Sequence, residues 1–495
     1  MESGSQSHRH LSCEVAMRIA IIGLGCSGTM VLRAIADRLR EGDPIEIRLF
    51  ESQKEVAAGI PYGAAFNDDC FVLNMQTSLL GAHPQRPEEF MDWLAGQSPS
   101  VVDGTDYIAR TRMGGYLASV LQASMARLRQ LGIACEIVRD EVCDMQVRGN
   151  EYLLFGTTQT YTADRVVLAP GHLKKRKPEG SGKRYIANPY HALHLVRAIP
   201  PNAKVGIVGS KLTAVDMAIL LREQGVRRIS MFSGSGRLPL VRGVRPPEDR
   251  LPVVRRPKGA SLRSFLKAIR DQVRTMQAPA EYEAFLSGRD EAVRLAHELE
   301  QASAPRLWHA LLDETKHFID DFWQELSPFH KRLFLRKYQG LWMSYRHPMP
   351  PSNARKIAGM LADGSLTVHS GYRGASACPD GQLTVRAGDQ EVIVDYLIDA
   401  SGTPADVREI DSPLVANLLR NGIVARCEFG GIECEPATHR VRPLSNVYVI
   451  GQLTRGRIFY VSAIERIAIH ALVIAADLMR AVTERTGTRL EEVAD

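Results

Sequence analysis

The chain has 495 residues, a length that corresponds to two large domains or about three ordinary ones. An apolar fraction of 45% and a charged fraction of 24% are those of a folded globular protein, and they exclude collagen-like repeats and disorder of the whole chain. The net charge of +6 is too dilute over this length to indicate nucleic-acid binding, although it leaves room for a local anionic ligand.

Cysteine usage and hydropathy set the expected environment. Eight cysteines are scattered without a C-x-x-C pair or a grouping with histidines, so we expect no metal site, no dithiol centre and a reducing compartment. The stretch from Met1 to Ala16 is polar and lacks the apolar segment of a signal peptide. No run of about 18 uncharged apolar residues occurs. We therefore expect a cytoplasmic protein that contacts neither membranes nor nucleic acid, and we leave homo-oligomerisation open.

The first folding unit spans residues 18–51. A buried strand at 18–23, a glycine turn, a helix from Gly28 to about Leu39 and a strand at 46–50 are typical of a βαβ unit. A similar unit begins about 185 residues later, with a strand at 203–209, a helix at 212–224 and a strand at 228–232. The pair predicts an α/β fold with two Rossmann-like dinucleotide-binding domains.

The composition changes between residues 260 and 345. Helix-period segments at 262–276, 289–303 and 307–326 predict a mainly helical insertion. It would cover a substrate cavity, although its aromatic residues also suit an ordinary core. Later segments are predicted as strands at 366–369, 382–386, 392–398 and 447–450 and as a long helix from about Ser462 to Val482.

The strongest motif is Gly23-Leu-Gly25-Cys-Ser-Gly28 between the first strand and its helix. The first glycine permits a tight turn, the second lets the backbone approach a pyrophosphate, and the third allows close helix–strand packing. The helix N-terminus, with Ser27 in its first turn, faces the phosphates. Glu51 ends the next strand, 23 residues past Gly28, where a carboxylate accepts hydrogen bonds from ribose hydroxyls. The motif predicts nucleotide binding.

Three later segments also predict backbone contact with a ligand. Residues 164–172 and 395–403 each read as an acid, an apolar strand and a small-residue turn with glycine. In residues 446–456, a strand is followed by a turn that starts at Gly451 and precedes a long apolar helix. Glycine turns let the backbone pass close to a ligand, and we expect the segments 164–172 and 395–403 where the chain crosses between domains.

Five further segments match the motifs of a known family. They are Gly59-Ile-Pro-Tyr62 with Val72-Leu-Asn74-Met75, the helix Arg110-Thr-Arg-Met-Gly-Gly-Tyr116-Leu, Gly209-Ser-Lys-Leu212-Thr213-Ala-Val-Asp216, Arg346-His347-Pro-Met-Pro350, and Gly451 to Gly456. In these segments the chain resembles the FAD/NAD(P)-binding flavoproteins related to bacterial amino-acid N-hydroxylases, which have two dinucleotide-binding domains. The likeness extends from residue 17 to about 480.

The resemblance implies two cofactors. It places FAD on Gly23, Gly25, Ser27, Gly28, Glu51, Asn74, Met75 and Gly451, and NADPH on Gly209, Lys211, Thr213 and Arg237. Lys211 stands where a second glycine is expected, so its side chain either clashes with the pyrophosphate or supplies a cation to it. No acid ends the second strand, and the nearby Arg237 and Arg242 favour a 2′-phosphate and hence NADPH over NADH.

The domain boundaries follow from the same resemblance. We predict a tail at 1–16, a first FAD-domain part at 17–180, a first NAD(P)H-domain part at 181–259, the helical insertion at 260–345, a return of the NAD(P)H domain at 346–394 and a second FAD-domain part at 395–495.

The resemblance implies a flavin-dependent monooxygenase. NADPH would reduce FAD, and an oxygen atom of O2 would be transferred to an amine nitrogen of a small amino-acid-like substrate. We assign no catalytic residue, because His172, His347 and Asp216 suit structural roles. Two alternatives remain open: a flavin dehydrogenase or oxidase without oxygen transfer, and a flavin-binding sensor or partner protein with a degenerate nicotinamide site.

Overall fold

The computed structural model describes residues 16–97, 103–276 and 290–486. The predicted N-terminal tail lies outside these ranges except for its last residue. The strands of the described residues are β1 Met17–Ile22, β2 Ile45–Phe50, β3 Ala134–Val138, β4 Val142–Arg148, β5 Glu151–Gly156, β6 Thr160–Ala163, β7 Arg165–Leu168, β8 Tyr185–Ile186, β9 Lys204–Val208, β10 Arg228–Phe232, β11 Leu366–His369, β12 Tyr372–Ala377, β13 Leu383–Ala387, β14 Gln390–Val394, β15 Tyr396–Asp399 and β16 Val447–Val449.

The α-helices of the described residues are Cys26–Ala36, Gly59–Tyr62, Glu89–Gln97, Arg110–Gln130, Leu193–Arg197, Leu212–Glu223, Leu262–Thr275, Glu291–Gln301, Leu307–Glu314, Ile319–Glu325, Pro328–Leu333, Gln339–Arg346, Pro351–Ala362, Pro413–Arg420 and Ile464–Thr486. None of the helices in the described ranges is both long and apolar enough to cross a membrane.

The first sheet is parallel, with strand order β16-β7-β1-β2-β3. Alternate residues of β1 point to opposite faces, so Ile19 and Ile21 join one core while Ala20 and Ile22 join the other. Three helices cover the first of these faces: Cys26–Ala36, Arg110–Gln130 and Ile464–Thr486. The antiparallel β4-β5-β6 sheet covers the second face.

The second sheet repeats this architecture, with parallel strands in the order β11-β10-β9-β15-β8. Helices Leu212–Glu223 and Pro351–Ala362 pack on one face. The antiparallel β12-β13-β14 sheet packs on the other. The predicted α/β fold with two Rossmann-like domains is confirmed.

Asp164, before β7, and Asp395, before β15, make equivalent hydrogen bonds in the two domains. Asp164 accepts a hydrogen bond from the Arg18 amide at 2.8 Å, and its own amide donates to the Arg18 carbonyl at 2.8 Å. Asp395 makes the same two bonds with Lys204, each at 2.8 Å. The similarity of the two segments is therefore one of strand pairing, because each acid fixes its strand beside the first strand of its domain.

The domain boundary predicted at residues 394 and 395 is wrong. Strand β15 pairs with β9 and β8 and so belongs to the second domain rather than to the first. The predicted single strand 392–398 divides at Asp395, because β14 and β15 pair in different sheets. All strands of the second parallel sheet lie between Tyr185 and Asp399.

The predicted helical insertion is present, with one difference. The segment 307–326 is two helices rather than one, joined by a 3₁₀ turn at Thr315–His317. Its aromatic residues pack with one another as a core: Trp308, Phe318, Phe322, Trp323 and Trp342. Trp323 also donates its indole N–H to the Gly456 carbonyl at 2.8 Å, which ties the insertion to the C-terminal part of the chain. The interpretation of these aromatics as ordinary core fits their burial.

Candidate functional site

The first glycine turn is built by close backbone packing. Gly23 has φ +97°, and a Cβ there would lie 2.3 Å from the carbonyl oxygen of Ala169, which follows β7. A Cβ on Gly28 would lie 2.1 Å from the Gly23 carbonyl oxygen. These two glycines are therefore required by the turn itself. A Cβ on Gly25 would lie 3.3 Å from Gly59 Cα and 3.7 Å from Gly59 N, so the second glycine is less tightly enclosed than the other two.

The helix that begins at Cys26 presents uncapped amides. Gly25 is its N-cap residue in an extended conformation, and no side chain caps the first turn. Free first-turn amides and the positive end of the helix dipole favour a phosphate. Gly451 follows β16 and faces this turn, since its Cβ would lie 3.2 Å from Ser27 Oγ. Gly25, Ser27 and Gly451 thus meet at one place.

Glu51 lies beside the same turn. Its Oε2 accepts a hydrogen bond from the Leu24 amide at 3.1 Å, and its Oε1 accepts one from the Gln53 amide at 2.9 Å. These bonds fix the carboxylate at the carboxyl end of β2, the edge of a parallel sheet where ligands bind. The residues present fit the adenosine and pyrophosphate half of a dinucleotide.

The second glycine turn matches the first in backbone geometry. Gly209 has φ +117°, and its Cβ would lie 2.6 Å from the carbonyl oxygen of Ala400, which follows β15. Lys211 is the extended N-cap residue of Leu212–Glu223, as Gly25 is in the first domain, and no side chain caps this helix. Thr213 lies in its first turn. The fold therefore brings Gly209, Lys211 and Thr213 together as predicted.

The Lys211 ammonium is hydrogen-bonded within the protein rather than free in solvent. Its Nζ donates to the Arg237 carbonyl at 2.8 Å and to Ser344 Oγ on the last helix of the insertion. Ser210 Oγ donates to the same Arg237 carbonyl at 2.8 Å. Burial lowers the pKa of Lys211 to about 8, and Arg294 adds to this effect. Arg237 thus contributes its backbone carbonyl to the turn, where it accepts from both Ser210 and Lys211.

The three glycine segments predicted to approach a ligand converge. A small pocket is lined by residues from each of them, including Gly171, Thr403 and Gln452. Thr403 Oγ1 and Gln452 Oε1 are 3.3 Å apart, which joins the segment after β15 to the one after β16. The carboxyl ends of strands from both sheets therefore surround one space.

A second space opens below the predicted Asn74-Met75 segment. This cleft is lined by Met75, Gln76 and Leu79 on one side and by loop 242–246 and the helix Leu307–Glu314 on the other. Asn74 is half-buried and lies between the buried Leu73 and the half-buried Met75. The helical insertion thus covers a cavity as predicted, but with polar residues rather than with its aromatics.

Arg242 lies in this cleft, not beside the second glycine turn. Its Nη1 donates to Asp313 Oδ2 at 2.8 Å, and its predicted role at a 2′-phosphate stays a prediction. The sequence analysis did not find Arg306, His309 or Asp313, which also line the cleft. The only sign of these three residues in the sequence is that polar residues interrupt a largely apolar helix.

A buried ion pair joins the two domains near both sites. Arg110, at the start of Arg110–Gln130, lies 2.6 Å from Asp216 Oδ2 on the second-domain helix, and Tyr190 donates to the same oxygen at 2.7 Å. Burial raises the pKa of Asp216, and the Arg110 guanidinium opposes this rise. Asp216 therefore has the structural role predicted for it.

The histidines weighed for catalysis are half-buried. Burial lowers the pKa of His172 to about 4 and that of His347 to about 3. One group of residues with metal-ligand chemistry also occurs among the described residues, formed by Asp68, Cys70 and Glu223. Asp68 pairs with Arg197 at 2.7 Å, which already balances its charge. The expectation that no metal is bound stays a prediction.

Comparison with known proteins addresses the first domain directly. Residues 20–173 match the family model described as FAD-NAD(P)-binding. This segment is an FAD-NAD(P)-binding domain. It includes the first glycine turn, Glu51, Asn74 and strand β7 with the turn at Gly171, so the predicted cofactor class, FAD with NAD(P), is confirmed.

The FAD-NAD(P)-binding domain is part of a fold that other proteins share along nearly their whole length. The ornithine N-hydroxylase of Kutzneria sp. 744, with reduced FAD, NADP+ and L-ornithine, superposes with a TM-score of 0.59 at 14% identity over 94% of this chain and 99% of that one. The bacillithiol disulfide reductase of Staphylococcus aureus superposes with a TM-score of 0.51 at 13% identity over 94% and 98%. These likenesses confirm the predicted two-domain flavoprotein fold.

A curated relative is similar over a shorter stretch. The uncharacterized protein YdhS of Escherichia coli (strain K12) is 24% identical over 221 residues, which are 42% of this chain and 40% of that protein. The match thus spans less than half of the relative's length. Reaction and substrate have to be argued from this chain's own site.

Proposed function

We propose that the protein is an FAD-dependent, NADPH-using monooxygenase that hydroxylates an amine nitrogen of a small amino-acid-like substrate. The observation that carries this proposal is the arrangement of two glycine turns of matching geometry, with a covered polar cleft beside Met75. A likeness to an ornithine N-hydroxylase over 94% of the chain supports it. Molecular oxygen and a small amine would be its partners, in the cytoplasm.

Each turn would hold one dinucleotide. Gly25 and the uncapped amides after it would bind the FAD pyrophosphate, Glu51 would accept hydrogen bonds from the ribose, and Asn74 with Met75 would lie beside the flavin. Gly209 and Thr213 would bind NADPH in the second domain. When bound, FAD supplies the transfer of electrons from NADPH to oxygen.

Lys211 would give the second site its charge. Its pKa of about 8 leaves it protonated at pH 7, so its ammonium can neutralise a phosphate that reaches the turn. To do so it must exchange the Arg237 carbonyl for that phosphate. The backbone around it would then position the nicotinamide end while the insertion excludes water.

A second candidate function is favoured by the same lysine. Because Lys211 already binds Arg237 and Ser344, the second site can be a weakened one, and the protein a flavin-binding sensor. The likeness to a disulfide reductase equally supports electron transfer without oxygen insertion.

The test begins with the purified protein and its flavin. We expect a yellow protein that takes up FAD, stopped-flow reduction of the flavin by NADPH, and hydroxylamine product in proportion to NADPH consumed when a substrate amine is present. Hydrogen peroxide alone would identify an oxidase. A flavin that NADPH cannot reduce, with reduction gained in Lys211→Gly, would identify a degenerate second site.

A further inference from the structure

The cleft below Met75 has an electropositive wall. Among the residues that line it are three arginines, Arg242, Arg245 and Arg306, and one carboxylate, Asp313. Glu298 pairs with Arg306 from behind, with an Nη1 to Oε2 distance of 2.6 Å. The remaining charge therefore favours an anionic ligand.

Arg242 is the central residue of this wall, because two of its three guanidinium nitrogens have no hydrogen-bond partner among the described residues. Its side chain is 10% exposed, and only Nη1 is engaged, with Asp313. Nε and Nη2 are buried and have no hydrogen-bond partner among the described residues. Nε–H and Nη2–H lie on one edge of the guanidinium plane, the edge that binds a carboxylate with two parallel hydrogen bonds. A buried donor edge without a partner is costly unless a ligand satisfies it.

Asp313 fixes this edge in place without consuming it. Its Oδ2 accepts from Arg242, and its Oδ1 accepts from Arg346 Nη1 at 3.0 Å. Arg346 is balanced further by Glu465, at 3.6 Å. One carboxylate thus orients two guanidiniums, and the orientation is set before a ligand arrives.

His309 adds a second unsatisfied group to the same wall. It is 8% exposed, and neither ring nitrogen has a partner among the described residues. Burial holds its pKa well below the ordinary value, so the ring is neutral and offers one donor and one acceptor. It lies one helical turn from Arg306 and in edge-to-face contact with Trp308.

We propose that this cleft binds the carboxylate of an organic substrate, with Arg242 Nε–H and Nη2–H as the two-point contact and His309 as a further polar contact. That the ligand is a substrate rests on the proposed function, whereas the carboxylate site itself does not. The site makes Arg242 the residue that selects amino-acid-like amines over simple diamines, because a diamine would leave the guanidinium edge unpaired and add a like charge.

The test measures binding without turnover. Isothermal titration of the oxidised, FAD-loaded protein would compare straight-chain ω-amino carboxylates of three to eight carbons, L-ornithine and L-lysine with the diamines that lack the carboxylate. We expect at least one carboxylate to bind roughly tenfold or more tightly than its matched diamine. Arg242→Gln should abolish that difference, and Arg242→Lys should keep only part of it, since lysine offers charge without the fork.

Arg332→Gln is the matched control, because Arg332 is exposed, pairs with Glu428 and does not line the cleft. Equal binding of carboxylates and diamines by the wild-type protein would overturn the proposal, and this comparison needs no variant to fold. Failure of every carboxylate to bind, or displacement of a bound carboxylate by NADP+, would overturn it as well; displacement would assign the arginine to a dinucleotide phosphate. Carboxylate binding without oxygen consumption would refute the monooxygenase and leave the site standing.

Discussion

Lys211 occupies the position that Gly25, which has no side chain, occupies in the first domain. Gly25 and Lys211 are both extended N-cap residues, with φ −82° and −101° and ψ −159° and −166°. The lysine adds a side chain that is buried and bonded to Arg237 and Ser344. The two turns therefore differ in charge and not in backbone shape.

The buried ammonium predicts a pH-dependent stability. Because the pKa of Lys211 is about 8 when folded, against an ordinary value of 10.5, the unfolded chain binds more protons between these values, and stability rises with pH through this window. Relative to Lys211→Met, the wild-type free energy of unfolding should rise by about 2 kcal/mol between pH 7 and pH 9.5. Urea denaturation at the two pH values measures it. A constant gap would show that Lys211 titrates normally.

Gly25 separates folding from flavin binding. Its Cβ would lie 3.3 Å from Gly59 Cα and 3.7 Å from Gly59 N, so Gly25→Ala should fold with a small shift of Gly59, but the added methyl group would stand where the pyrophosphate approaches. We expect FAD affinity to fall by roughly tenfold or more with an unchanged circular dichroism spectrum.

Gly96→Ala is the control for this substitution, because a Cβ there meets nothing within 4 Å. It should keep both the fold and the flavin. Unchanged FAD affinity in Gly25→Ala, measured by fluorescence titration of the apoprotein, would place the pyrophosphate elsewhere.

The sequence was sufficient to predict the glycines and not the arginines. Gly23, Gly28 and Gly209 are dictated by local turns, so their spacing along the chain carries the information. The pair of Arg242 with Asp313 joins residues 71 positions apart, and its two partners lie in a loop and a helix of unremarkable composition. Such contacts depend on how the insertion packs, which periodicity does not encode.

At the scale of elements, the errors have local physical causes. The continuous apolar period over 307–326 indicated one helix, but the Thr315 hydroxyl bonds to the Leu312 carbonyl at 2.6 Å and the chain tightens into a 3₁₀ turn. The run 392–398 indicated one strand, but Asp395 accepts hydrogen bonds from Lys204 and Gln382 and redirects the chain into the second sheet. In both places a short polar side chain competes with a regular element.

The Arg110–Asp216 pair joins two helices from different domains, and it should be sensitive to charge removal. Asp216→Asn leaves a buried guanidinium without a counter-ion, so we expect a loss of about 3–5 kcal/mol in the free energy of unfolding. Asp363→Asn is the control, because it breaks an exposed pair with Arg222 on the same second-domain helix and should change stability little. Chemical denaturation compares them; similar losses in both would mean that Asp216 is not buried as an ion pair.

At the scale of the whole molecule, the two domains are one architecture used twice. Gly23 donates its amide to the Phe50 carbonyl at 2.9 Å, and Gly209 donates to the Phe232 carbonyl at 2.7 Å. Each domain then adds an antiparallel three-stranded sheet and a closing strand. The repeat was visible in the sequence as two βαβ units. Strand β15, which completes the second sheet, was assigned to the first domain because its sequence resembles a strand of either domain.

The interleaved connectivity has a consequence for synthesis. The parallel strands of the second domain are complete at Asp399, whereas the first sheet still lacks β16, and the Cys26–Ala36 helix still lacks its neighbour Ile464–Thr486. During synthesis the second domain is therefore complete while the first domain is still an unfinished sheet. At that stage the first domain has an open edge along β7 and an uncovered apolar helix. Chaperones bind unpaired strand edges and exposed apolar faces. The part of the chain that is synthesised first is therefore the part that needs chaperone protection longest.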